Sequence, residues 1–194
     1  MWPARAAIRP VAAHAVVPRE AVEHAEEALS ERGDLEAQVE RGLHALAGSQ
    51  PGVAAFLQRA VDAVHDDTAE ALGSFLGVVV WRAFLDAFGQ RMREVPPESV
   101  AAVQAMFEYD EELRRGDASE LLESDDLVAI GQPHLVAFVR EQIDASLEPD
   151  EDGEPADVDL DDIATVYRAL LIEILALGQG VTPPRGAPAP GMPA

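Results

Sequence analysis

The sequence predicts an all-α fold, a single-domain bundle of about seven or eight helices around a buried central helix. The first observation behind this is the stretch from Thr68 to Arg93, whose middle is apolar on every side. No charged residue falls between Ala71 and Trp81, and Val78, Val79, Val80 and Trp81 point in four successive directions around a helix. Such a helix must be enclosed by others, so Leu72 to Phe88 is expected inside the molecule. The second is the recurrence of apolar residues at three- and four-residue spacing on both sides of that stretch, in segments closed off by Asp, Pro and Gly. The third is negative: no run combines period-two alternation with β-branched enrichment, and no internal repeat is read.

Taken in order, residues 1–18 hold Pro3, Pro10 and Pro18 with Arg5 and Arg9 and no acid, and are expected to form a flexible N-terminal arm. Arg9 and Pro10 split its apolar residues, so it does not read as a signal peptide. The helical domain, residues 19–178, opens with a polar helix from Arg19 to Arg32. Its narrow stripe of Ala21, Val22, Ala25, Ala28 and Leu29 implies shallow burial, and Gly33 is its stop. Asp34 caps a second helix, in which Leu35, Val39, Leu43 and Leu46 form the apolar stripe as far as Gly48. A third starts near Ser49 and Pro51 and buries Val53, Phe56, Leu57, Ala60, Val61 and Val64. In the central helix Asp67 takes the cap position with Glu70 three residues on, and Pro96 and Pro97 end any helix that continues past Arg93.

Pro97 then opens a helix through Val100, Val103, Met106, Phe107, Asp110 and Leu113 to Gly116, with Asp110 the one polar member of its stripe. Between Asp117 and Gln132 lie a short helix holding Leu121 and Leu122 and an apolar fragment, Leu127 to Ile130. Pro133 starts a helix with Leu135, Val136, Val139, Ile143 and Leu147 inward, and Glu148 to Asp157 reads as a loop. The last helix carries a broad face of Leu160, Ile163, Val166, Tyr167, Leu170, Leu171, Ile174 and Leu177, ends at Gly178, and is expected beside the central helix. Residues 179–194 are rich in Pro and Gly without hydrophobic periodicity and are expected to be a disordered tail.

Composition narrows the function. Thirty-six acids against fourteen basic residues leave a formal charge of -22, which argues against a nucleic-acid backbone or an anionic membrane surface as partner. Arg82 and Asp86 interrupt the apolar run well short of the roughly 20 residues that cross a bilayer. Cys is absent, which excludes disulfides, thiolate catalysis and cysteine-ligated metals and fits a reducing cytoplasm. All the basic residues are Arg.

Two stretches carry metal-binding patterns. From Glu141 to Asp162 there are eleven acids and no basic residue. Placing Gly153 at the sixth position of a calcium loop puts Glu148, Asp150 and Asp152 at the first, third and fifth and Asp159 at the twelfth. Glu at the first position, Asp at the twelfth and Pro155 at the eighth depart from that pattern, and solvated charge is the plainer reading of the Glu148–Asp159 loop. The doublet His65-Asp66 resembles the central motif of the HD-type metal phosphohydrolases, which are all-helical. The resemblance covers those two residues alone. It implies an upstream His, His24 or His44, and a downstream Asp, Asp110 or Asp126, converging on a divalent ion that activates water. Without the resemblance, His65 ends the third helix while Asp66 and Asp67 cap the central one.

Other constellations fail on spacing. The residues three before His24, His44, His65 and His134 are Ala21, Arg41, Asp62 and Gly131, so no Glu-x-x-His pair for a di-iron centre exists. There is no phosphate-binding glycine loop and no G-x-S-x-G elbow. Trp81, Phe84, Phe88 and Phe107 stand at helical spacing, where they would pack a core or line a pocket for a small hydrophobe. No cofactor is expected. The function this points to is a non-catalytic, cytoplasmic protein-interaction or scaffold domain with an acidic surface, whose partner is another protein or a second copy. The alternatives are an HD-like metal-dependent phosphohydrolase and a sensor of calcium or a small hydrophobe.

Overall fold

A computed structural model describes Ile8 and residues 11–30, 33–116, 123–149 and 158–184. Among them eight helices follow one another: α1 (Arg19–Ser30), α2 (Leu35–Ser49), α3 (Pro51–Val61), α4 (Asp67–Phe88), α5 (Pro97–Gly116), α6 (Ser124–Gly131), α7 (Pro133–Ser146) and α8 (Leu160–Gly180). The described residues contain no strand, only one antiparallel bridge between Met92 and Val181. The fold is therefore the all-α bundle the sequence predicts. The short fragment holding Leu121 and Leu122 and the centre of the Glu148–Asp159 loop lie outside the described residues.

The centre is a pair of helices, because two long apolar segments cover each other more completely than one helix is covered by short neighbours. α4 and α8 make the most extensive pairing, and α1, α2, α3 and α7 close over the rest of α4. By length and composition the segment Asp67–Arg91 is apolar enough to cross a membrane, but in the fold it is the shared wall of five other helices. Enclosure of α4 is complete from Leu76 to Trp81. Leu72 and Phe75 are half-buried, and Leu85 and Asp86 face outward, so the expectation that Leu72 to Phe88 lies wholly inside is too long at both ends. α8 is the more enclosed helix, buried without a break from Ala169 to Gly178.

Local chemistry moves several boundaries. The cap of α4 is Asp66, which accepts from the Ala69 amide at 2.8 Å, and not Asp67. The helix stops at Gly89, whose φ of 49° takes the chain out of the helix, well before the prolines. α1 is not shallow, since Ala25 and Leu29 are fully buried against α4. α2 is turned from its expected face: Gln38, Gly42 and Leu46 are buried, Val39 and Leu43 are half-covered and Leu35 is 50% exposed. The cause is Gly42, where any Cβ would run into the methyl groups of Val78, so α2 meets α4 along its smallest residue. Leu160 at the start of α8 is 65% exposed. Val181, expected in a disordered tail, is buried, with the Thr182 amide donating to Arg91 O and the Arg93 amide to Gly180 O. At the other end Ile8, Ala15 and Val17 are fully buried, so this part of the expected arm belongs to the body.

The chain is built twice over, contrary to the reading of no internal repeat. Matching α1 to α5, α2 to α6, α3 to α7 and α4 to α8 carries each helix pairing onto another: α1 packs on α4 as α5 on α8, α2 on α3 as α6 on α7, α3 on α8 as α7 on α4, and α3 on α5 as α7 on α1. The pairing of α4 with α8 maps onto itself. Sequence agrees, since Gln50, Pro51, Ala55, Phe56, Asp62 and Ala63 reappear as Gln132, Pro133, Ala137, Phe138, Asp144 and Ala145. Gln50 and Gln132 take the same backbone conformation, φ -138°, ψ 62° and φ -139°, ψ 62°. Each is buried and holds the lead-in of the opposite half. Gln132 accepts from the Val17 amide at 2.9 Å and donates to Ala15 O at 2.6 Å, while Gln50 accepts from Val95 at 2.8 Å and donates to Arg93 O at 3.0 Å. The repeat escapes a fixed-period scan because the connectors differ, so the separation grows from Val17 and Val95 to Gln50 and Gln132 to Asp66 and Asp159.

Candidate functional site

The His65-Asp66 doublet sits where the chain turns from α3 into α4, beside the start of α8. Helix starts leave amides without intrahelical partners, and here two helices satisfy one another's. Asp66 accepts from Ala69 N through Oδ1 and from Asp159 N at 3.1 Å through Oδ2. In return Asp162 Oδ2 accepts from the amides of His65 at 2.8 Å and Asp66 at 2.9 Å. Asp159 caps its own helix through the amides of Asp161 and Asp162. The amides of Ala69 and Asp159 hold the Asp66 carboxyl below the usual carboxylate range. Both Asp66 oxygens are thus occupied by backbone.

The other members proposed for a metal centre stand apart. His24 Nδ1 lies 3.0 Å from Asp86 Oδ2 on α4, and the His44 side chain is exposed on α2. Asp110 is buried and accepts from the Ser124 hydroxyl at 2.7 Å, and Asp126 closes the capping box of α6 with Glu123. No three His, Asp or Glu side chains among the described residues come together so as to hold a metal ion. Of the calcium-loop residues, Glu148 and Asp159 are described, and Asp150 and Asp152 lie outside the described residues. Trp81, Phe84, Phe88 and Phe107 are core, with the Phe84 and Phe88 rings 5.8 Å apart.

Two polar features were missed by sequence reasoning. Arg140 on α7 donates to the Tyr167 hydroxyl at 2.9 Å and to Asp125 Oδ2 at 2.6 Å, and Tyr167 donates to the same oxygen at 3.1 Å, which ties α6, α7 and α8 together. Burial alone would raise the Asp125 carboxyl, but these donors and the Arg charge outweigh it and hold it low. Burial is the larger cause that pushes the Tyr167 hydroxyl up to about 12. The second is Glu173, fully buried at the crossing of α3, α4 and α8, with Oε2 3.3 Å from the place a Gly77 Cβ would occupy. Neither oxygen has a hydrogen-bond partner, and burial raises the carboxyl well above its ordinary value by disfavouring its charged form. The signal was in the sequence: Glu173 is the one charge between Ala169 and Gly178.

Two clefts share positions related by the repeat. One, about 260 Å³, lies between α3, α5 and α8 and is floored by Phe56, Ala169 and Ile172, with Arg59, Gln104, Thr165 and Arg168 at its rim. The other, about 330 Å³, lies between α1 and α7 over Val22 and Phe138, with Arg19, Glu23, Glu26, His134 and Glu141 around it. Phe56 corresponds to Phe138, counted from Gln50 and Gln132, and Gln104 to Glu26, counted from Val95 and Val17. At the matching place beside the Phe, Arg59 in the first cleft is Glu141 in the second. In the second cleft burial, then Glu141, Glu27 and Glu23, raise the Glu26 carboxyl. Compared with known proteins, the chain matches no family model, no curated protein and no solved structure.

Proposed function

We propose that the chain is a non-catalytic protein-interaction domain of the cytoplasm that engages a protein partner through its acidic surface. The observation that carries this reading is the outward stripe of α2. Leu35, Val39 and Leu43 recur every fourth residue, as on a helix made to be covered, yet Leu35 is 50% exposed and the other two are half-buried. Exposed Glu36 and Glu40 flank the stripe, and a helix bearing apolar residues between basic ones complements it in both respects. Like charges on the two faces disfavour a second copy of the chain as the occupant. The absence of Cys accords with a reducing compartment.

The test is a photo-crosslinking residue placed at Leu35 or Leu43 of the full chain in its native cells, with Ala101, exposed on α5, as the control position. The expected result is one discrete adduct from the stripe, competed away by a synthetic basic amphipathic helix. Equal adducts from stripe and control, or none from the stripe, overturn the reading. An adduct at twice the chain's own mass replaces the partner by a second copy.

A further inference from the structure

We propose that the cleft between α3, α5 and α8 is a binding site for a small organic anion, a carboxylate or phosphate ester on an apolar body, held by Arg59 and Arg168. The inference is independent of the partner surface on α2. It starts from charge: in a chain of thirty-six acids and fourteen Arg, this cleft is lined by two Arg and no carboxylate. Arg59 is exposed and makes no ion pair or hydrogen bond among the described residues. Arg168 gives its Nε to Glu111 at 2.8 Å, which leaves two Nη groups as donors. Guanidinium forks match carboxylate and phosphate oxygens in pairs. Beneath them Phe56, Ala169 and Ile172 are 8%, 4% and 2% exposed, an apolar floor for the body of the ligand. A volume of about 260 Å³ lies just below the usual range of small-molecule sites, so the ligand is small.

The second half of the molecule supplies the comparison. The same position in the opposite cleft is filled by Glu141, over the equivalent Phe138. The fold accepts either charge there, so packing does not require an Arg at position 59. The sign of the charge was free to vary, and in this cleft it is positive against the field of the whole molecule. Glu108, Glu111 and Asp161 stand on the neighbouring turns. Glu108 accepts from the Gln104 amide and Glu111 from Arg168 Nε, while Asp62, three residues after Arg59, accepts from Gln58.

Calorimetric titration of the full chain with sodium octanoate, octyl phosphate, 1-octanol and inorganic phosphate tests this. Octanoate or octyl phosphate should bind saturably, the tighter of the two identifying the head group, with octanol and inorganic phosphate at least about tenfold weaker. R59E, which copies the opposite cleft, and R59A should each weaken binding by about tenfold or more, whereas E141Q and R41A should leave it unchanged. Circular dichroism checks that each variant is folded, and methyl NMR shifts at Ile172 locate the ligand. Octanol binding as tightly as octanoate, octanoate binding that survives both Arg59 substitutions, or no saturable binding by either anion would sink the proposal.

Discussion

Glu173 is the side chain whose chemistry is most at odds with its surroundings. Its folded-state affinity for a proton is raised by burial, with no charged group contributing. The carboxyl therefore favours the fold below its unfolded titration range, and that contribution is lost as pH rises toward the folded value. Glu173→Met, close in size and free of unpaired oxygens, is expected to stabilise the chain at pH 8 by about 1–3 kcal/mol, a rise in Tm of roughly 2–4 °C per kcal/mol. The gap should narrow as pH falls toward 5 and level off below it, where the neutral but unpartnered carboxyl still costs. Thermal unfolding across pH checks it, and a gap that stays constant with pH would show that titration of Glu173 is not its origin. Such a residue is visible in the sequence as a lone acid in an apolar run. That it has no partner is not, because Gly77, which lies beside it, is brought there by the crossing of helices.

Among the elements, the two Gln-Pro corners do the same work in opposite directions. Each joins two helices and uses one buried amide to hold the segment entering the other half. Gln132→Leu leaves the Val17 amide and Ala15 carbonyl unpaired and should destabilise by about 2–3 kcal/mol. Gln50→Leu should do likewise through Val95 and Arg93. Hydrogen exchange distinguishes them, since the first should release Val17 and the second Val95, and loss of protection at both sites in either variant would mean the corners are not separate locks. α3 also approaches its neighbour too closely for a side chain, since a Cβ at Gly52 would lie 2.9 Å from Val95 O. The corners were legible as Pro starts. Their use of Gln was not, because a Gln before Pro carries no preferred partner until the other half is present.

For the molecule as a whole, charge and duplication are the governing features. A net charge of -22 spread over one domain repels itself, and the ion pairs of Arg140 with Asp125 and Arg168 with Glu111 offset little of that. Raising NaCl from about 0.05 to 0.5 M, which shortens the screening length several-fold, should raise Tm by a few degrees. A fall would show that the ion pairs outweigh the repulsion. The helical class, the helix starts at Pro51, Pro97 and Pro133, and the buried faces of α3, α7 and most of α8 were legible, because periodicity and caps act within one or two turns. The face of α2 was not, because Gly42 against Val78 outweighed the stripe of Leu35, Val39 and Leu43. The doublet His65-Asp66 was legible as a cap, whereas its reciprocal bonds with Asp159 and Asp162 were not, because they join helix starts far apart in the chain.

The sequence by itself determined that this chain is helical, acidic, free of thiols and built around long apolar segments, since each of these properties is set by residue type and spacing over a few turns. The tertiary structure alone decided that two central helices share the core, that the chain repeats itself about them, and that Arg59 and Glu141 take matching places in its two halves. Those facts depend on which helices meet between the two halves, and connectors of unequal length hide that correspondence from any reading along the chain.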